Sequence, residues 1–357
     1  MTDLPRNTVL VRRDKFTDPP SKQGDAHTAR AAALGAVYGA FAADAAGATL
    51  EFLGRKPSAG EVEEALAMCG GGVWSTAPGQ ITDDSELALC QLRALSGSAT
   101  FSLEAIASRY ADWYRSPPFD IGNTTSSALG PGARAAPGHV AATMREAAAA
   151  RNMGSKANGA LMRLTPLAVW ASRGTPDEVA GWAMADAALT HPNASCQEAS
   201  ACYALAIGHL VGHPCQGRDA WRVARDWASG NAGPEVCGWL EEARAGLVVP
   251  GTPLDGFVRI AFVHAFRHLW MGTGYLDAVR ETLALGGDTD TNAAIVGGLV
   301  GAAWGAGSIP GSMKAALETC DTRQGRERPD WLSTRDLHAL VMGLLPEEEG
   351  AGALPLG

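Results

Sequence analysis

Two clusters of oxygen-bearing side chains, about two hundred residues apart, carry the clearest chemistry in the chain: Thr82-Asp83-Asp84-Ser85 and Asp288-Thr289-Asp290-Thr291. Each stands where a Gly-containing loop meets an apolar stretch of helical period. Carboxylates and hydroxyls are hard oxygen ligands, suited to magnesium or manganese rather than to zinc or copper. Two divalent ions carry four positive charges, which the aspartates Asp83, Asp84, Asp288 and Asp290 balance. The pair of clusters therefore predicts a two-metal site.

The competing reading of each cluster is a helix N-cap, where Asp, Ser and Thr accept free backbone N–H groups and acidic side chains complement the helix dipole. The second cluster argues against it. A cap needs one such residue, yet here Asp-Thr-Asp-Thr follows Gly286-Gly287 and runs into Asn292 to Trp304, a stretch apolar on every face. A helix of that kind is buried. Several aspartates at its end would be costly without a counter-charge.

Other polar residues stand in suggestive places. Asp44 interrupts a strongly apolar helical run, so it is expected to be buried and in need of a partner. Gly47 ends or loosens that helix. Glu51, seven residues after Asp44, reads as a general acid/base, as a ligand acting through water, or as a solvated loop acid. Asp120-Ile121-Gly122-Asn123-Thr124-Thr125 is a polar loop opening a helix, and Ser155-Lys156-Ala157-Asn158-Gly159 is another; N–H groups and hydroxyls in such loops can hold an anion, although both also read as plain loops. His191, between two helices, reads as a ligand contact or a cap. His264 and His268 have the spacing of a zinc helix but lack the Glu that a zinc protease needs after the first His.

The elements that must position these residues read as helix after helix. Helical periodicity predicts segments at 31–43, 61–68, 85–95, 103–114, 140–151, 161–171, 176–188, 195–210, 220–228, 234–245, 256–270, 275–285, 292–304, 312–317 and 333–344. Gly35 and Gly39, four apart, predict a close helix contact. No β alternation is sustained, which predicts an all-α fold. The two acidic clusters lie near opposite ends of the helical region and must meet, so 28–345 is expected to be one domain. Residues 1–27, polar and with three prolines, read as a flexible arm, or as one that docks on a partner through Val9-Leu10-Val11 beside Arg12-Arg13. Residues 346–357 read as a tail.

Bulk properties narrow the function. The 357 residues carry a net charge of −9, against a nucleic-acid-binding surface. The seven cysteines form no C-x-x-C pair and no secretory signal is evident, which predicts reduced core thiols and a cytoplasmic protein. No apolar run reaches the roughly eighteen residues of a membrane span.

Taken in order, Asp44-x-x-Gly47-x-x-x-Glu51, Gly79-Gln-Ile-Thr82-Asp83-Asp84-Ser85-Glu86, Asp120-Ile-Gly-Asn-Thr-Thr125, Ser155-x-x-Asn158-Gly159-Ala-Leu-Met-Arg163, Leu189-Thr-His191-Pro192 and Gly286-Gly-Asp-Thr-Asp-Thr-Asn-Ala-Ala294 resemble the ADP-ribosylglycohydrolase family, which includes the dinitrogenase-reductase-activating glycohydrolases. The resemblance covers roughly 29–306. It implies a single orthogonal helical bundle around a binuclear centre of two Mg2+, or Mn2+. The implied metal ligands are Thr82, Asp83, Asp84, Asp288, Asp290 and Thr291. Glu51 falls on the family's mobile glutamate. The loop Ser155, Lys156, Ala157, Asn158 and Gly159 would hold the ADP-ribose phosphates and ribose, with His191 close by; Ala157 replaces the family's usual Gly. Gly122, Asn123 and Thr124 would join Asp120 along the substrate.

The activity implied is metal-dependent hydrolysis of the glycosidic bond that links ADP-ribose to a modified protein side chain. Such bonds break through an oxocarbenium-like transition state. The metals would lower the pKa of a bound water. Asp83 or Asp84 would orient that water or take its proton, and Glu51 would assist proton transfer. Asp120 resembles the arginine-cleaving branch, so arginine is the favoured acceptor, ahead of serine. Alternatives are an immunity protein that neutralises an ADP-ribosyltransferase toxin by hydrolysis and by docking of 1–27, a hydrolase of another ribosyl or phosphoester substrate, and a silent relative with a binding role.

Overall fold

A computed structural model describes residues 28–346; the expected arm, and the expected tail after Pro346, lie outside the described residues. Sixteen α-helices follow one another within that range: α1 (Ala29–Gly47), α2 (Ala59–Leu66), α3 (Asp83–Leu95), α4 (Leu103–Arg115), α5 (Asn123–Gly132), α6 (Val140–Arg151), α7 (Thr165–Ala171), α8 (Pro176–Ala187), α9 (Ala194–Gly212), α10 (Gly217–Asn231), α11 (Pro234–Arg244), α12 (Val258–Met271), α13 (Tyr275–Leu283), α14 (Thr289–Trp304), α15 (Gly311–Thr319) and α16 (Leu337–Met342). Among the described residues there is no strand, only two isolated bridges, Gly71 with Thr76 and Ala157 with Phe257. The fold is all-α, as the periodicity predicts.

At the centre α1 packs along α14, the most extensive helix pair in the molecule. Both helices are buried almost throughout and carry small residues at the contact. A Cβ on Gly35 would stand 2.2 Å from the Gly301 carbonyl oxygen, and one on Gly297 would stand 2.3 Å from that of Gly39. Glycine is thus required at the crossing. The same logic reaches the site at Gly47, where a Cβ would meet the Asp290 Cα at 2.5 Å. With no side chain there, the start of α14 lies against the end of α1, and Thr289 Oγ1 donates to the Gly47 carbonyl at 2.8 Å.

Two predicted helices are shorter than expected by four residues or more. The segment predicted at 161–171 is helical only from Thr165. Leu161 and Met162 instead donate their N–H groups back to the Asn158 carbonyl, and Pro166, which has no N–H, fits only the first turn that follows. The segment predicted at 333–344 is helical over Leu337–Met342, preceded by a short 3-10 turn at Asp330–Leu332. In the other direction, α14 begins at Thr289 rather than at 292, which brings Asp290 and Thr291 into its first turn.

Candidate metal and substrate site

Two helix N-termini, those of α3 and α14, meet beneath one cavity. At α3 the N-cap Thr82 makes no capping bond with its own helix. Its Oγ1 donates across 2.8 Å to Asp44 of α1 and lies 2.9 Å from Asp84 Oδ2. The capping is done instead by Asp44, which accepts from the Thr82 N–H at 3.2 Å and the Ser85 N–H at 3.1 Å. Asp44 is fully buried, as its place in an apolar helix predicts, and its partners are the first cluster. Because capping comes from α1, Asp83 and Asp84 are released from it. At α14 the N-cap Asp288 likewise caps nothing; its Oδ2 accepts from Asn158 Nδ2 at 2.7 Å.

Burial sets the electrostatics. Asp83, Asp84 and Asp290 are held well above the usual carboxylate range, first by burial and then by the neighbouring carboxylates, Asp44 and Asp288 among them. Asp44 is pushed up to about 6, chiefly by burial, despite the hydrogen bonds it accepts. Glu51 rises to about 8 through burial, with Asp120, Asp288 and Asp44 adding to it and the hydrogen bond from Trp74 Nε1, 2.7 Å long, opposing it. Asp120 rises to about 6 by burial and by the charge of Asp288. His191 falls to about 3, because it is buried and near Arg163, and is therefore neutral.

So much unneutralised charge in low dielectric calls for a cation. Asp84 Oδ1 is buried without a hydrogen-bond partner. Carboxylate oxygens of Asp44, Asp84 and Asp290 lie within 4.8 Å of one another, and so do those of Glu51, Asp120 and Asp290. The two groups share Asp290 and consist wholly of oxygen, so the residues present fit hard divalent ions. They also bring in Asp44, which the sequence suggests only as a buried acid.

Above these carboxylates opens a cavity of about 860 Å³. Glu51, Asp83, Asp120, Asp288, Asp290 and Thr291 form its acidic side. Gly122, Asn123, Thr124, Ala157, Asn158, Gly159 and His191 also line it, with Asn158 Nδ2 2.7 Å from Asp288 Oδ2. Thr82 and Asp84 lie beneath and do not reach it, and neither do Ser155 and Lys156. Lys156 points to α11, where Nζ pairs with Glu235 at 2.6 Å, and Ser155 Oγ meets Thr124 Oγ1 at 2.9 Å. The Asn158 loop is pinned from outside: the Asn158 N–H donates to Gly256 and the Val258 N–H to Lys156. Gly159 must be glycine, since a Cβ would stand 2.9 Å from the His191 ring and 3.0 Å from Thr125 Oγ1. His191 caps nothing; Asn193 caps α9, and His191 Nδ1 lies 2.8 Å from Thr190 Oγ1.

Sequence reasoning misses two braces. Asn152 is buried and its Nδ2 donates to the carbonyls of Thr124 and Thr190, tying two walls of the cavity together. Arg328 reaches from the C-terminal segment to the buried Glu86 at 2.8 Å and donates to the carbonyls of Ser116 and Pro117, which steadies the loop that ends in Asp120. The Glu that follows Thr-Asp-Asp-Ser is the only local signal of this brace.

An all-helical fold with an oxygen-only acidic centre under a polar cavity defines the class of molecule: a helical protein built for hard cations and a polar ligand. The family follows from comparison with known proteins. The sequence model of the ADP-ribosylglycohydrolase family matches residues 25–350. The ADP-ribosyl-dinitrogen reductase glycohydrolase of Rhodospirillum rubrum is 31% identical over 303 residues, 84% of this chain and 95% of that protein. The ADP-ribosylarginine hydrolase Tri1 of Pseudomonas putida (strain GB-1) is 28% identical over 330 residues, 84% of this chain and 80% of that protein. A solved structure described as an ADP-ribosylglycohydrolase-related protein complex superposes with a TM-score of 0.67 at 26% identity, covering 88% of this chain and 97% of that one. The chain belongs to the ADP-ribosylglycohydrolase family.

Proposed function

We propose that this protein hydrolyses the bond between ADP-ribose and an arginine side chain, reversing mono-ADP-ribosylation of a protein, with two divalent cations, Mg2+ or Mn2+, held by Thr82, Asp83, Asp84, Asp288, Asp290 and Thr291. The observation that carries the reading is that the Glu51, Asp83, Asp120 and Asp290 carboxylates line one cavity together with the Asn158–Gly159 turn. The unit that carries the activity is taken as 28–345. The buried thiols of Cys90, Cys196, Cys202 and Cys320 suit a reducing compartment such as the cytoplasm, and no helix among the described residues is long and apolar enough to cross a membrane.

When bound, the cations would neutralise the buried carboxylates and polarise a water and the ribose hydroxyls. The chain's own groups do the rest. The Asn158 N–H being engaged by Gly256, the N–H groups of Ala157 and Gly159 and the small side chains of the turn receive the phosphates and ribose, and Asn158 Nδ2 fixes Asp288 beneath them. Asp83, the member of the first cluster that faces the cavity, orients the attacking water and takes its proton. The new bond forms at C1″ of the ribose as the C1″–N bond breaks, and the proton ends on the leaving guanidine. Glu51, with Oε2 engaged by Trp74, has Oε1 to carry that proton across. Asp120, ionised above about pH 6, pairs with the guanidinium.

The test is release of ADP-ribose from arginine-linked and serine-linked peptides, with magnesium and with chelator. Magnesium-dependent release from the arginine conjugate alone is expected. Release from serine alone would overturn the arginine assignment, and release undiminished by chelator would overturn the metal.

A further inference from the structure

The cavity has an aromatic lip that neither the ADP-ribose nor the metals account for. Phe52 follows Glu51 and is 65% exposed, in the left-handed backbone region at φ +56°. A non-glycine residue there is strained, and a phenylalanine this exposed buries little apolar surface to offset it. Its ring meets Trp74 edge-on at 6.0 Å, and Trp74 meets Phe119 at 5.8 Å. Val73, beside Trp74, is 60% exposed. The strip thus joins three separate segments, and it is continuous with the reacting end of the cavity. Phe52 is the chain neighbour of Glu51, Phe119 is the neighbour of Asp120, and Trp74 holds Glu51 by its indole N–H. The far end of the strip already takes a guanidinium: that of Arg326 lies over the Phe119 ring at 5.5 Å.

We propose that the lip formed by Phe52, Val73, Trp74 and Phe119 docks the peptide segment that carries the modified arginine, its apolar neighbours lying on Phe52 and Val73. This rests on the arginine reading above. Charge complementarity favours that occupant: Asp120, the neighbour of Phe119 and outside the proposed ligand set, lines the cavity beside the lip and suits a guanidinium-bearing chain. Exposed apolar surface beside a polar reaction site marks where a larger partner is held, and aromatic faces suit an arginine stem and guanidinium. The lip makes the enzyme prefer a modified protein over a free ADP-ribosylated amino acid.

The experiment compares kcat/KM for free ADP-ribosyl-arginine with that for an ADP-ribosylated peptide bearing leucine beside the modified arginine, in the wild type, in Phe52→Ser and in Val73→Ser. The ratio of peptide to free conjugate should exceed one in the wild type and fall about tenfold in Phe52→Ser, the effect of losing one buried aromatic contact. It should fall less in Val73→Ser, a surface change that leaves the fold intact should the first variant fail to fold. A ratio that stays constant across the variants, whether or not both rates drop together, overturns the docking role. Absence of release from either arginine substrate by the wild type overturns the arginine reading itself, and the docking role with it.

Discussion

Two kinds of helix start occur in this chain, and they use the same residue types differently. At α2 and α8 the caps are complete: Ser58 and Thr175 accept from the N–H groups of Glu61 and Glu178, which reach back to the cap N–H groups. At α3 and α14 the side chains of the cap residues Thr82 and Asp288 accept no N–H of their own helix. At α3 the first N–H groups are met by Asp44 from α1, and at α14 the Thr291 N–H is met by Asp290, while the Thr82 and Asp288 side chains turn to Asp44 and Asn158. The surface helices use Asp, Ser, Thr and Glu to stabilise a helix. The site helices hold the same residues in reserve for a ligand, at the cost of burying like charges together. An isolated Thr-Asp-Asp-Ser does not distinguish the two uses; its partners do.

That contrast is broken most severely at Asp44, which acts on both sides of it. Asp44→Ala leaves the buried N–H groups of Thr82 and Ser85 without an acceptor, at roughly 1–3 kcal/mol each, and removes a carboxylate from the cluster. Thermal melting should show a large loss of stability and ADP-ribose release should fall to background. A variant that melts normally and remains active would show that α3 caps itself. Asp290→Asn separates the two roles. It keeps the size and the buried environment while removing the charge shared by both oxygen groups. Turnover should drop by more than about a hundredfold, since even outer partners of metal ligands cost 10–100-fold, while circular dichroism shows an unchanged helical fold. Full activity in Asp290→Asn would remove the metal assignment.

Much of this arrangement is legible in the sequence, for a definite reason. Asp290 and Thr291 stand out because they open a helix that is apolar on every face, and Gly35 and Gly39 announce the close approach of α1 because their spacing matches a helix turn. What pairs with what is not legible. Asp44 meets Thr82 across 38 positions and Glu86 meets Arg328 across 242, and nothing in the local pattern of either member names its partner. Lys156 shows the opposite error: a cation inside a phosphate-type loop looks like an anion ligand, yet the ion pair with Glu235 of α11 turns it outward. The aromatic lip escapes sequence reading altogether, because Phe52, Trp74 and Phe119 belong to three loops.

A smaller effect sharpens the comparison at the edge of the site. Asp120→Ala should lower kcat/KM for arginine conjugates about thirtyfold, corresponding to roughly 2 kcal/mol for removing one partner of a desolvated charge pair. Release from any serine conjugate that the enzyme accepts should change far less. Equal losses on both would make Asp120 a general feature of the site and not an acceptor contact. The charge held in reserve should also show in the metal-free protein. The carboxyl groups of Asp44 and Asp120, at about 6, and of Glu51, at about 8, lie above their unfolded values. Their contribution to stability is therefore present in acid and lost as pH rises through 6 and then 8. The chelated protein should melt at a lower temperature at pH 8.5 than at pH 5.5. Magnesium, binding the native ionised carboxylates, should flatten that slope. A melting temperature that climbs with pH in chelator would contradict the raised carboxyl groups.

The smallest expected effect lies at the ordinary helix starts. Thr175→Ala removes the hydroxyl half of the α8 cap, where Oγ1 accepts from the Glu178 N–H at 3.4 Å and donates to its carboxylate at 2.9 Å. The expected cost is about 1 kcal/mol, a shift of about 1 °C in the melting temperature of a protein this large. Activity at saturating magnesium should not change, because α8 contributes no residue to the cavity wall. If hydroxyls at α3 and α14 were caps of the same kind, Thr82→Ala would behave alike, with a similar loss of stability and normal turnover. The geometry predicts otherwise: Thr82 Oγ1 bridges Asp44 and Asp84, so its loss should cost turnover well beyond what its effect on melting explains. Measuring both quantities for both threonines decides whether the site helices differ in kind from the surface helices or only in position.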